Sequence, residues 1–170
     1  MRPAKRDERS SGLFFLEVMT KAEKTNKLRE LLGPVVENNG AFLVDVNLRG
    51  ERSSQLVEVF CDTEAGITID KCAQISRMIM PIIESSDVME WSYRLEVSSP
   101  GVGSAIKDRR QYKSNLGRLV EVKYTKGADL IEIEGDLREL RESGIVLDTA
   151  TGSVELDFDS IIEARVKIRW

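Results

Sequence analysis

Apolar residues along the first hundred positions recur at two spacings. Leu28, Leu31, Leu32, Val35 and Val36 fall at i, i+3, i+4, i+7 and i+8, the stripe of an amphipathic helix beginning at about Thr20. Pro34 should kink that helix at the Gly33-Pro34 step, and Asn38-Asn39-Gly40 should end it. Ala41 to Leu48 reads as a strand and Gly50 to Ser54 as a polar turn. Gln55 to Cys61 then alternates, with Leu56, Glu58 and Phe60 on one side and Val57, Val59 and Cys61 on the other, completing an antiparallel hairpin. Thr68 is a good N-cap for a second helix, with Asp70 in the first turn. Ile69, Cys72, Ile75, Ile79, Ile82 and Ile83 are expected to form its buried face, with Arg77 opposite them. Pro81 predicts a kink or an early end, and Ser85-Ser86-Asp87 closes the element. Trp91 to Val97 is a third strand, with Tyr93, Leu95 and Val97 on one side. Helix, strand, strand, helix, strand gives an α+β unit in which two helices cover a three-stranded sheet.

The pattern then changes. Asp108 to Leu116 reads as a short helix or turn. Arg118–Tyr124, Leu130–Leu140, Gly144–Thr149, Ser153–Phe158 and Ala164–Ile168 read as five short strands, with Asp159-Ser160 opening a helical turn before the last. So many strands in so few residues predict a small barrel of the SH3 or Sm type, whose closure would hide the edges. Val120, Val122, Ile131, Ile133, Val146, Leu147, Val154, Leu156 and Phe158 are its expected core. The expected organisation is a flexible arm over 1–19, an α/β domain over 20–98, a linker over 99–114 and the barrel over 115–170. Trp170 is left with two roles open, capping the barrel or meeting a partner.

Composition narrows the chemistry. Of the 170 residues, 41% are hydrophobic and 32% charged, as in a globular protein, and no apolar run approaches membrane-spanning length. The segment Leu13–Met19 is interrupted by Glu17 and followed by no cleavage site, so the chain is expected to be cytoplasmic, and a monomer. Cys61 and Cys72 stand in a chain with no histidine, which excludes Cys/His zinc spacings and any Ser-His-Asp or Cys-His catalytic group. No cofactor or metal is expected, and an enzyme would need Lys or carboxylate chemistry in a buried pocket. The net charge of −4 is uneven. Between Lys107 and Lys126 seven cations face two anions, whereas between Asp129 and Asp159 ten anions face two cations. Such asymmetry is expected to make a basic face for phosphate and an acidic face for a cationic protein.

The two halves meet in "LEVSSPGVGSAIKDRR", residues 95–110. Its glycines, hydroxyls and cations resemble a nucleotide cradle, but Ile106 stands where the third glycine of G-x-G-x-x-G would fall, and no P-loop Gly-Lys-Ser/Thr is present. A hinge fits better: Pro100 biases Ser99 toward extended backbone, and Gly101 and Gly103 permit positive φ. The serines and amides would then serve a phosphate only as auxiliary contacts.

"GITIDKCAQISRMI" (66–79), "LEVSSPGV" (95–102), "LGRLVEVKY" (116–124) and "FDSIIEARV" (158–166) resemble, in order and spacing, the ribosome maturation factor RimP family, over residues 22–168. The resemblance implies a non-enzymatic assembly factor for the immature small ribosomal subunit, with a K-homology-like N-terminal domain and an SH3-like or Sm-like barrel. It also implies 16S rRNA and small-subunit ribosomal protein twelve as partners. Family members usually continue the motif as S-S-P-G-L-D-R-P-L, whereas this chain has Val102-Gly103-Ser104-Ala105-Ile106, so no role is carried over from that arginine. The expected mechanism is a clamp. Arg77, Ser98, Ser99, Gly101, Lys107, Arg109, Arg110 and Lys113 are the candidate rRNA contacts, and Asp157 and Asp159 the candidate contacts to a basic ribosomal protein. A stand-alone RNA-binding regulator with an Sm-like barrel is the alternative.

Overall fold

The computed structural model describes residues 18–168. The expected N-terminal arm lies almost wholly outside the described residues, as does Trp170. The first helix, α1, spans Lys21–Asn38. Its capping box is complete: the Thr20 hydroxyl accepts from the Glu23 amide, and the Glu23 carboxylate accepts from the Thr20 amide. Pro34 lies inside α1 without ending it. Strands β1 (Phe42–Arg49) and β2 (Gln55–Asp62) form the antiparallel hairpin, with a register shift between Leu43 and Asp45. Helix α2 (Ile69–Ser85) is capped by Thr68, whose hydroxyl accepts from the Lys71 amide. It crosses over to β3 (Tyr93–Ser98), which pairs parallel with β2, so the sheet order is β1-β2-β3. Pro81, like Pro34, is accommodated, and α2 runs on to Ser85.

Leu28, Leu32 and Val36 from α1, Ile75, Ile79 and Ile83 from α2, and Val46, Val57, Val59 and Cys61 from the sheet are all at most 1% exposed and make one core. Fully burying such side chains stabilises the fold by roughly 1.5–3 kcal/mol each before the ordering entropy is subtracted. One expected member is absent: Ile69 is 88% exposed. It occupies the first helical position, and the buried stripe begins a turn later at Cys72, while Ile67, just before the cap, packs on the core instead. Both cysteines are buried and unbridged, and burial first, with Cys72 and Asp62 adding to it, pushes the Cys61 thiol up to about 12.

After a four-residue helix, α3 (Gln111–Ser114), come β4 (Leu119–Lys126), β5 (Asp129–Leu140), β6 (Gly144–Thr149), β7 (Gly152–Asp157) and β8 (Ile161–Val166). They form one antiparallel sheet in the order β7-β6-β5-β4-β8. The last strand starts three residues earlier than its apolar run predicts, because a 3-10 turn over Phe158–Ser160 leads straight into Ile161. The long strand β5 changes partners along its length. Asp129 to Asp136 pair with β4 and Asp136 to Leu140 with β6, with a register shift between Leu137 and Glu139 that curls the sheet. Val120, Val122, Leu137, Ile145, Leu147, Leu156, Ala164 and Tyr112 fill the second core.

Curling brings backbones close. A Cβ on Gly144 would lie 2.1 Å from the Leu156 carbonyl oxygen, and one on Gly135 would lie 2.7 Å from that of Asp148. Gly144→Ala is therefore expected to cost about 1–3 kcal/mol and to lower the thermal midpoint by several degrees; an unchanged melting curve would contradict this packing.

Candidate functional site at the junction of the two sheets

Between β3 and β4 the chain makes no free hinge. Gly103 takes positive φ (86°), as expected, but Gly101 does not. The Gly103 amide donates to the Val166 carbonyl (3.1 Å), the Ile106 amide to the Ala164 carbonyl (2.8 Å), and Ala105 bridges to Arg165. Residues 103–106 thus lie along β8. The Gln111 side-chain carbonyl then accepts from the amides of Lys107 (2.8 Å) and Asp108 (2.9 Å), closing the turn that presents the cations.

Each of those cations meets a named partner. Lys107 and Arg29 of α1 both pair with Asp45, which is only 6% exposed and also accepts from the Val46 amide at 2.9 Å. Arg110 reaches both oxygens of Glu37 in α1 (2.9 and 3.0 Å) and the Asp108 carboxylate (2.7 Å), and its guanidinium lies 4.2 Å from the Phe42 ring centre. Lys113 contacts Glu64 at 2.5 Å. Arg109 lies 4.4 Å from the centre of the Phe158 ring and 4.0 Å from Asp159. Asp45, Glu37 and Glu64 belong to the α1/β1/β2 unit, so Lys107, Arg110 and Lys113 fasten it to the second sheet. The side-chain hydrogen bond from Arg110 holds the Asp108 carboxyl below its usual range and raises the guanidinium in return.

The remaining candidates lie elsewhere. Ser98 and Ser99 are exposed at the end of β3. Ser99, Pro100 and Gly101 line a cleft of about 280 Å3, together with Asp62, Gln111 and Arg118. Arg77 is exposed on α2 and makes no ion pair with any of the described residues. Asp157 and Asp159 are exposed at the turn before β8. The basic and acidic runs of the sequence do not become two faces, because antiparallel pairing sets one beside the other. Lys123 reaches Glu132 (3.6 Å) and Glu163 (3.7 Å), Lys126 stands opposite Asp129, and Lys167 reaches Glu121 (2.9 Å).

Sequence reasoning missed Asp45, Glu37 and Glu64 as partners, and it missed Arg49, Phe60 and Arg165 around a second cleft, of about 330 Å3. Asp45 carried a signal, being a carboxylate inside the otherwise apolar run "FLVDV".

Residues 31–103 match the model of the RimP N-terminal domain. That match, over the first domain, supports assigning the chain to the RimP family. The match begins within α1, covers all three strands of the first sheet and α2, and ends at the positive-φ glycine where the chain joins β8. RimP proteins form a family of ribosome maturation factors.

Asp45→Asn should cost the protein about 2 kcal/mol, since Arg29 and Lys107 are each nearly half exposed and regain water once the charge is lost. Urea unfolding of the variant and of Lys107→Met would measure it; a variant as stable as the parent would mean that the pairing contributes nothing. Asp108 gives a pH signature. A carboxyl depressed in the folded state adds stability above its unfolded value of roughly 3.9, and that contribution is lost as pH falls through the lower folded value. Asp108→Asn should therefore flatten the acid limb of the melting temperature against pH, and an unaltered limb would refute the assignment.

Proposed function

We propose that this RimP chain is a non-enzymatic assembly factor that binds the immature small ribosomal subunit in the cytoplasm, through 16S rRNA and a basic small-subunit ribosomal protein such as protein twelve. The family match over 31–103 carries this reading. The architecture supports it: two helices on one face of a three-stranded sheet suit a K-homology-like domain over 20–98. Five antiparallel strands with β8 returning beside β4 suit an SH3-like barrel over 115–170, with 99–114 as the linking segment.

The site residues divide by availability. Arg77 is exposed and has no ion-pair partner among the described residues, so it meets rRNA phosphate directly. Lys107, Arg109, Arg110 and Lys113 are partly exposed and already paired, and they reach phosphate by exchanging a carboxylate for it. Exposed ion pairs are worth only about 0–1 kcal/mol, so the exchange is cheap for Lys113 and Arg109 and dearer for Lys107, whose partner is buried. Ser98, Ser99 and Gly101 add neutral contacts beside them. Asp157 and Asp159, on an exposed turn, face the basic protein, with Arg109 beside Asp159 moderating the charge.

The protein should sediment with immature small subunits at low salt and be released as salt rises; its absence from those fractions, with normal subunit ratios in cells lacking it, would defeat the proposal. Arg77→Glu is the cleanest single change, because Arg110→Glu would also break the junction. It should weaken co-sedimentation several-fold while leaving the melting temperature unmoved, and full retention on the particle would remove Arg77 from the contact surface.

A further inference from the structure

The helices cover only one face of the first sheet. Leu56, Glu58 and Phe60 of β2 point to the other, opposite Arg49, Asn47 and Asp45 of β1 and Arg94, Glu96 and Ser98 of β3. At the Phe60 end, the segment from Pro100 to Lys107 and Arg165 of β8 wall this face into the cleft of about 330 Å3, also lined by Val44, Asn47 and Ser104. That volume is at the small end of ligand sites, roughly 300–1,000 Å3, too small for a duplex and adequate for one nucleotide.

Three cations line the cleft against one carboxylate, and that carboxylate, Asp45, already holds Arg29 and Lys107. Arg165 is fixed by the Gly103 carbonyl (3.0 Å) and by Glu163, and Arg49 rests on Glu58 at 2.7 Å while remaining 67% exposed. Phe60 is the aromatic ring in the lining, half-buried on an open sheet face, where a base can stack without unpacking the core. Asn47 and Ser104 offer a donor and acceptors to a base edge. We infer that this cleft takes one unpaired nucleotide of a single-stranded RNA, its base on Phe60 and its flanking phosphates on Arg49 and Arg165. The cationic lining disfavours a lysine-rich protein segment at the same place. The inference rests on the assembly-factor reading, and it names a recognition element apart from the linker cations.

The test is fluorescence anisotropy on the full chain with a short fluorescein-labelled single-stranded oligoribonucleotide, the same sequence as a duplex, and a mononucleotide competitor. Phe60→Leu keeps apolar volume but removes stacking and should weaken single-strand binding about tenfold. Arg165→Gln should reduce the slope of log affinity against log salt by about one. Thermal melts establish that both variants are folded, and Lys126→Gln, outside the cleft, should bind like the parent. Parental affinity in Phe60→Leu and Arg165→Gln would overturn the inference. So would equal binding of the duplex, or a mononucleotide that competes as strongly as the oligonucleotide. Failure to bind the oligonucleotide, with co-sedimentation on immature subunits intact, would sink the cleft and leave the assembly reading standing; loss of both would sink the two together.

Discussion

A nearly buried carboxylate with two cations on it governs how the halves of this protein meet. Asp45 is 6% exposed, and removing such a charge from water costs several kcal/mol unless opposite charge and hydrogen bonds replace the lost hydration. Arg29 supplies a guanidinium from α1, Lys107 an ammonium from beyond β3, and Val46 a backbone amide. Three segments remote in sequence are thereby set around one point. The constraint travels further, because the Lys107 amide is held by Gln111, which is buried next to Tyr112 in the second core. The register shift in β1 falls where this acid enters the sheet, so a local irregularity and a long-range contact share a position.

The same pairing changes what a basic sequence means. A run of lysines and arginines invites the image of a bare positive patch, yet here Lys107, Arg110 and Lys113 reach acids of β1, of α1 and of the turn after β2, and Arg109 and Arg110 lie over Phe158 and Phe42. Paired cations bind phosphate more weakly than bare ones, because the carboxylate must first be displaced. They are also more selective, since a polyanion with several phosphates in the right places can replace several carboxylates at once and one small anion cannot. Arg77, unpaired among the described residues, lacks that filter.

Local patterns were legible in the sequence and long-range partners were not. Thr68 announced the start of α2, and the alternation of Val57, Val59 and Cys61 announced the buried face of β2, because caps and period-two strands are set within a few residues. Pro81 misled in one respect: it left an early end of α2 open, but the packing of Ile75, Ile79 and Ile83 carries the helix on to Ser85, while α1 ends at Asn38 as its Asn-Asn-Gly signal indicates. Ile69 fitted the apolar period and is exposed, since periodicity does not say where along a helix its neighbours end. The pairings of Asp45 with Lys107 and Glu64 with Lys113 span 62 and 49 positions, and no spacing rule reaches that far. The charge blocks misled for a related reason, because an antiparallel ladder laid β4 against β5 and mixed them.

These facts together locate the compliance of the molecule. From Gly103 onward the backbone is bonded to β8, and up to Ser98 it belongs to the first sheet, so only Ser99 to Val102 joins the two without ladder bonds on either side. Pro100 fixes its own φ and restricts Ser99, which leaves Gly101 and Val102 to absorb a change of angle. Any such change must also stretch the side-chain pairs to Asp45, Glu37 and Glu64. Two of these are exposed and screened by salt, while the third centres on a buried acid. Loosening is therefore graded: the outer pairs, Arg110–Glu37 and Lys113–Glu64, yield to ionic strength or to phosphate before Lys107 leaves Asp45. The Asp45 pair, centred on a buried acid, is the one of these three contacts that ionic strength disturbs least.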